Sequence, residues 1–324
     1  MPVGPPKVHS DIYPFLAPGN FENAHAGKLV LVTGAGGDIA QQIAKHFALA
    51  GAALAVTDIS LEKLESTVGL CRALGAKVAP FACNISNESD VQGLVKAVKA
   101  SLGDIDILVN AAGVCTSKPI LLDSFASIWR EVEINLGGVL LTTLNVLPGM
   151  RARGRGCIIN VASRAGTVTV PYLAGYSISK ASVIKATESI QKDLDADGLG
   201  DKIQLYCCHP GAVLTGMSKR TMDPVVAEEY PHLATDRPKW LKNFRTSVDL
   251  CAAVCVFLAT GRVKDSLRGR YIDCEHDLEA FLSPEAAAEI GKNNLHILKV
   301  DFLWGLPNDG GTSAGAFRFD VDGE

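Results

Sequence analysis

Tyr176 and Lys180 stand at i and i+4 within SRAGTVTVPYLAGYSISK, residues 163–180. The stretch that runs on from there, SISKASVIKATESIQKDL, has helical periodicity. Positions i and i+4 share one face of a helix, so the phenol and the ammonium can enter one cleft. A neighbouring cation favours phenolate, which predicts a tyrosine pKa below its reference of about 10. Tyr176 is therefore a candidate general acid/base. Ser163 closes the apolar run CIINVAS, placing its hydroxyl at the carboxyl end of a strand. That edge is where open α/β sheets bind ligands. Taken alone, a Tyr–Lys pair is equally compatible with an ordinary helix surface, so its meaning depends on the elements around it.

Those elements alternate. KLVLVTGAGGDIAQQIAKHFALAGA reads as a buried strand, a glycine turn and an amphipathic helix, and ALAVTD as a second strand ending at Asp58. SLEKLESTVGLCRALGA is a helix, KVAPFACNI a strand, NESDVQGLVKAVKASLG a helix and DIDILVNAAG a fourth strand. One long helix is expected over residues 123–151, including Asn135, followed by CIINVAS, the Tyr176 helix and KIQLYCCHPG. Short apolar strands alternating with helices predict a parallel sheet covered on both faces, in one domain. Residues 1–27 are Pro-rich and aperiodic, an arm expected to drape over the surface.

The turn TGAGGDIA, residues 33–40, follows the first strand and opens a helix. Glycines let a backbone approach a pyrophosphate, and the helix start offers free N–H groups and a positive dipole end. Asp58 ends the second strand, where a carboxylate accepts from a ribose 2′-OH and repels a 2′-phosphate. A plain strand-end aspartate is the other reading of Asp58.

Composition narrows the classes. The chain has 324 residues, 48% of them hydrophobic, and a net charge of −4, which offers no basis for a nucleic acid or membrane-surface partner. The nine cysteines are scattered without a CxxC pair, and Cys251 and Cys255 read as core packing, so no metal is expected. The first residues lack a basic start followed by an apolar core, and no apolar run has transmembrane length. A soluble, cytoplasmic protein is expected.

Together these motifs resemble the short-chain dehydrogenase/reductase family over roughly residues 27–275. TGAGGDIA is similar to the family's TGxxxGxG turn, Asn110-Ala-Ala-Gly113 to its NNAG element and Asn135 to its helix asparagine. Ser163, Tyr176 and Lys180 fall on its serine and YxxxK positions, and Pro210-Gly-Ala-Val-Leu-Thr215 resembles its PGxVxT segment. The resemblance implies a Rossmann-type, doubly wound, three-layer α/β/α fold with the catalytic domain at 28–275. It also implies hydride transfer between a nicotinamide cofactor and an alcohol or carbonyl. Tyr176 would move the hydroxyl proton, and Lys180 would lower its pKa and hold the nicotinamide ribose. Ser163 would orient the substrate oxygen, and Asn135 would fix a water that relays protons from Lys180. Gly34, Asp38, Ile39, Asp58, Asn84, Ile85, Asn110, Gly113, Tyr176, Lys180, Pro210, Gly211, Val213 and Thr215 would line the cofactor, with Asn84 and Ile85 beside the adenine. A homodimer or homotetramer is implied as well.

The chain departs from the family pattern in places. Asp38 and Ala40 replace its second and third glycines, and Asn84 replaces its usual aspartate. Asp38 is expected to cap the following helix or point away from the pyrophosphate. Asp58, with Gly37 where NADP-preferring relatives often carry Arg or Lys, favours NAD, and a nearby lysine would admit NADP instead. Residues 217–245 correspond to the substrate lid, with Arg164, Tyr172 and Met217, together with Cys115, as candidate pocket wall. Arg164 could meet a substrate anion or turn away to pair with an acidic neighbour. Residues 276–324 form a C-terminal extension, with a helix starting at Ser283-Pro284 and an apolar HILKVDFLWGLP expected to dock. Arm and extension together are reminiscent of extended fungal members, some of them active in secondary metabolism. A non-redox protein on the same scaffold, a regulator or an isomerase or cyclase, is the alternative.

Overall fold

The structure, a computed structural model, describes residues 7–299. Seven strands form one parallel sheet in the order β3-β2-β1-β4-β5-β6-β7. They are β1 (Leu29–Thr33), β2 (Ala53–Asp58), β3 (Val78–Ala82), β4 (Ile107–Asn110), β5 (Gly156–Val161), β6 (Ile203–His209) and β7 (Tyr271–Asp273). The expected ALAVTD strand is observed residue for residue. All five residues of β1 are buried, because both faces of the sheet are covered. Alternate side chains feed two separate cores: Val30 and Val32 one side, Leu29 and Leu31 the other.

Helices α1 (Asp38–Leu49), α2 (Glu65–Ala73) and α10 (Val248–Leu258) cover the first face. Helices α3 (Glu88–Ser101), α5 (Gly138–Arg153) and α6 (Ala174–Ala196) cover the second. From Leu250 to Leu258 every residue of α10 is buried, and this stretch is apolar on every side. Between β4 and α5, α4 (Phe125–Val132) runs into a π turn at Glu133–Gly137. The single long helix expected there is therefore interrupted. The Gly138 N–H is shared between the carbonyls of Glu133 and Ile134, and Asn135 lies in this wider turn. Single π turns of this kind occur often at functional sites. After β6 come α7 (Gly216–Lys219), α8 (Pro224–Glu229) and α9 (Pro231–Leu241), then α10, α11 (Lys264–Leu267) and, past β7, α12 (Pro284–Lys292).

From residue 7 on, the N-terminal arm lies along the body and is pinned to it by buried side chains. Tyr13, Leu16 and Phe21 are buried in the first core, and Phe15 and Phe21 set their rings edge-on to Phe257 of α10. The arm is also stitched to the chain beyond β7. Val8 bridges His276, the His9 N–H donates to the Glu275 carbonyl, and the Leu278 N–H donates to the Tyr13 hydroxyl. Aromatic anchors among the prolines give this segment the apolar area its lack of periodicity conceals. Ser283 caps α12 as expected, and Leu298 packs against the second face. Residues 300–307 of HILKVDFLWGLP lie outside the described residues. Among the described residues no helix is long and apolar enough to cross a membrane.

Candidate active site

The carboxyl ends of β1, β4, β5 and β6 bring the motifs together. Ser163, two residues past β5, starts a short turn and accepts from the Ala165 N–H at 3.2 Å. Its hydroxyl also bonds the Tyr176 phenol and draws that pKa downward. Burial outweighs this bond, and with the nearby Cys115 and Glu131 it pushes the phenol up to about 12. The expectation of a lowered tyrosine pKa is thus reversed. The reason is geometric. The Lys180 ammonium lies 5.7 Å from the centre of the Tyr176 ring and donates to the Val161 carbonyl at 2.8 Å, not to the phenol oxygen. Burial lowers Lys180 itself to about 8.

Asn135 is fully buried. Its amide oxygen accepts from the Val114 N–H at 2.8 Å, and its amide nitrogen donates to the Val114 carbonyl and the Ser179 hydroxyl. A Cβ on Gly113 would stand 3.1 Å from the Asn135 oxygen and 3.5 Å from the Lys180 nitrogen. Gly113, Asn135 and Lys180 are therefore close neighbours. Glu131, one turn before Asn135, escaped the sequence reading. It is 3% exposed and accepts from the Thr116 N–H and hydroxyl. Its place four residues before the helix asparagine is the signal that could have found it.

The glycine turn lies beside this group. Gly34 is left-handed (φ 69°), and a Cβ there would come within 2.5 Å of the Ala112 Cα. Gly37 heads α1 with no side-chain cap, leaving first-turn N–H groups for an external anion. Asp58 ends β2, accepting from the Gly36 N–H at 3.1 Å, with the Lys63 ammonium 3.8 Å away. An uncapped helix start beside a carboxylate suits the pyrophosphate and ribose of a dinucleotide. Ile39 is half-buried and packs into the first core. Thr215 caps α7 through a reciprocal bond with Ser218, and the left-handed Gly211 backs onto Thr246. Pro210 precedes it, and Val213 is buried.

Several expected contacts fall elsewhere. Asp38 does not cap α1; its carboxylate accepts from the Gly216 N–H at 2.7 Å. The Asn110 side chain is taken up in the core by Thr142, Thr143 and Asn160, so only its backbone can meet a ligand. Asn84 accepts from Ser86, and the carboxylate bonding its own N–H comes from Asp90. Ile85 is buried against Gly138. Arg164 turns from the pocket to Asp273 (2.7 Å) and Glu275 (2.6 Å), so its partners are acidic neighbours rather than a substrate. Met217 is exposed. Tyr172 is left-handed (φ 65°), an uncommon backbone for a bulky residue, and meets the rings of Tyr230 and His232. Away from the site, Cys208, Cys251 and Cys255 bring their sulfurs within 4.8 Å of one another, fully buried in the first core. Their gathering could not be read from their scattered positions.

Comparison with known proteins agrees with this geometry. The family model described as short chain dehydrogenase matches residues 28–225. A short chain dehydrogenase of Pseudocercospora fijiensis is 32% identical over 303 residues, 90% of this chain and 96% of that one. Estradiol 17-beta-dehydrogenase 11 of Macaca fascicularis is 37% identical over 194 residues, 60% of this chain and 64% of its own length. Among solved structures, 7 alpha-hydroxysteroid dehydrogenase complexed with NADH and 7-oxo glycochenodeoxycholic acid is 26% identical. It matches with a TM-score of 0.67 over 78% of this chain and 95% of that one.

Proposed function

This chain belongs to the short chain dehydrogenase family, and from that premise we propose that it interconverts a secondary alcohol and its ketone using NAD. The observation that carries the reading is the Tyr176 phenol, bonded by Ser163 and neighboured by buried Lys180, beside an uncapped glycine turn. The nicotinamide, when bound, supplies the hydride acceptor or donor. Tyr176 holds the proton at its phenol oxygen and gives it to, or takes it from, the substrate oxygen. Ser163 donates to that same oxygen and orients it. Lys180 supplies a buried positive charge, and Asn135 fixes the backbone at Val114 beside it.

Gly34, Gly37 and the first turn of α1 would hold the pyrophosphate, with Asp58 on the adenine-side ribose. The Asp58 carboxylate supports NAD over NADP, and Lys63 is the residue that would temper the preference. The rings of Tyr172, just after the Ser163 turn, and Tyr230, in the 217–245 segment, meet edge to face at 5.9 Å, an aromatic surface that suits an apolar, ring-bearing alcohol. Steroid dehydrogenases among the relatives are in keeping with that class. All nine cysteines are free and all but Cys115 are buried, in keeping with a reducing, cytoplasmic setting. Lid 217–245 and an assembly through α4, α5 and α6 complete the proposal.

The test is calorimetry with NAD and NADP on wild type and Tyr176→Phe, alongside turnover of secondary alcohols. NAD should bind both proteins alike, while turnover in the variant falls by a factor of about 10²–10⁴. A variant keeping most of its rate refutes the proton assignment. Absence of binding by either dinucleotide would favour a non-redox protein on this scaffold.

A further inference from the structure

Where the resembled glycine pattern has its second glycine, this chain carries Asp38, the first residue of α1. The Asp38 carboxylate reaches across 178 positions of sequence to accept from the Gly216 N–H at 2.7 Å. Gly216 opens α7, the four-residue helix from which the 217–245 segment leaves the body of the fold. The far end of α7 is held too. Arg237 of α9 donates to the Ser218 carbonyl at 3.0 Å and to the Arg220 carbonyl. The short helix thus has an anion at its amino end and a cation at its carboxyl end, the arrangement its dipole favours. A glycine at position 38 could make no such bond.

The same carboxylate stands in the first turn of α1, whose free N–H groups are the donors a pyrophosphate needs. We propose that Asp38 is a built-in anion that ties the root of the lid to the cofactor turn and opposes dinucleotide binding, so that cofactor entry and release of this tie are coupled. The inference rests on the dinucleotide reading given above. Asp38 is exposed, so its carboxylate has room to swing into solvent when a phosphate arrives. Two negative charges in one turn repel, and the Asp38–Gly216 bond holds the lid root against the body of the fold. A dinucleotide must overcome both the repulsion and the tie. The chain thereby trades cofactor affinity for a lid that is held when no cofactor is bound.

Three full-length proteins test this: wild type, Asp38→Asn and Asp38→Ala. Calorimetry with NAD and with ADP-ribose should show both variants binding more tightly than wild type, Asp38→Asn by about tenfold because it loses the charge, and Asp38→Ala by more because it loses the tie as well. The two ligands should respond alike, because they share the pyrophosphate. The gap between wild type and variants should narrow as salt rises from about 0.02 to about 0.3 M, since screening weakens the repulsion. Limited trypsin digestion without ligand reads the tie itself. Cleavage at Lys219, Arg220 and Lys239 should quicken in Asp38→Ala and stay slow in Asp38→Asn, whose amide oxygen still accepts from Gly216. Equal or weaker dinucleotide binding in both variants overturns the inference, as does a digestion pattern in Asp38→Ala matching wild type. Failure of all three proteins to bind either ligand refutes the cofactor reading itself, and this inference with it.

Discussion

The titration of Tyr176 offers the sharpest check on the site's electrostatics. Burial, with Cys115 and Glu131 nearby, carries the phenol from 10.0 to about 12 despite the bond from Ser163. Two units correspond to about 2.7 kcal/mol, an upper bound because part of the residue's surface remains open to solvent. At pH 8 the phenolate would then be about one part in ten thousand, against about one in a hundred for an unperturbed tyrosine. Near-ultraviolet phenolate absorbance of ligand-free wild type, minus that of Tyr176→Phe, isolates this group. The difference should stay flat up to about pH 10. The stability consequence has a definite sign. A raised folded-state pKa adds stability that is fully present below the unfolded value of 10.0 and is lost as pH rises through about 12. Melting temperatures of the two proteins should therefore keep a constant difference below about pH 10 and change it only above. A difference step with its midpoint between about pH 7 and 9 would refute the reasoning. It would mean that Lys180 acts on the phenol oxygen before any cofactor arrives.

Arg164→Ala should leave the substrate KM within about twofold, because its guanidinium is engaged by Asp273 and Glu275. A tenfold rise would restore it as a substrate contact. The same variant should lower the melting temperature, and the loss should fade in acid. Although burial raises the Asp273 carboxyl, Arg164 and His209 hold it below its ordinary 3.8, so the stabilisation is present above that value and vanishes as pH falls through the lowered one. Tyr13→Phe leaves the buried Leu278 N–H without its acceptor and should cost about 1–3 kcal/mol, read by urea unfolding. An unchanged midpoint would show that this bond contributes nothing to stability. On α4 the exposed Phe125 and Trp129 rings stack at 5.8 Å, and Ile178 of α6 is also exposed. Light scattering should find an oligomer that Phe125→Ser with Trp129→Ser converts to monomer; a monomeric wild type rejects the interface.

The sequence by itself determined what depends on local pattern. Alternating apolar strands and helices specified a parallel sheet, because a strand buried on both faces must be apolar throughout. Ala53–Asp58 was legible to the residue, and the helical spacing of Tyr176 and Lys180 was legible because i and i+4 meet by geometry alone. Tertiary structure decided everything that depends on partners distant in the chain. The direction of the Tyr176 shift turned on its burial, with Lys180 donating to the Val161 carbonyl instead of the phenol, and no spacing rule encodes either. Arg164 had two open readings until Asp273 and Glu275, more than a hundred positions away, arrived beside it. Asp38 found Gly216 and Tyr13 found Leu278 in the same manner. Side chains at the carboxyl edge of the sheet come from every crossover, so their charges and hydrogen bonds are settled only when the strands stand side by side.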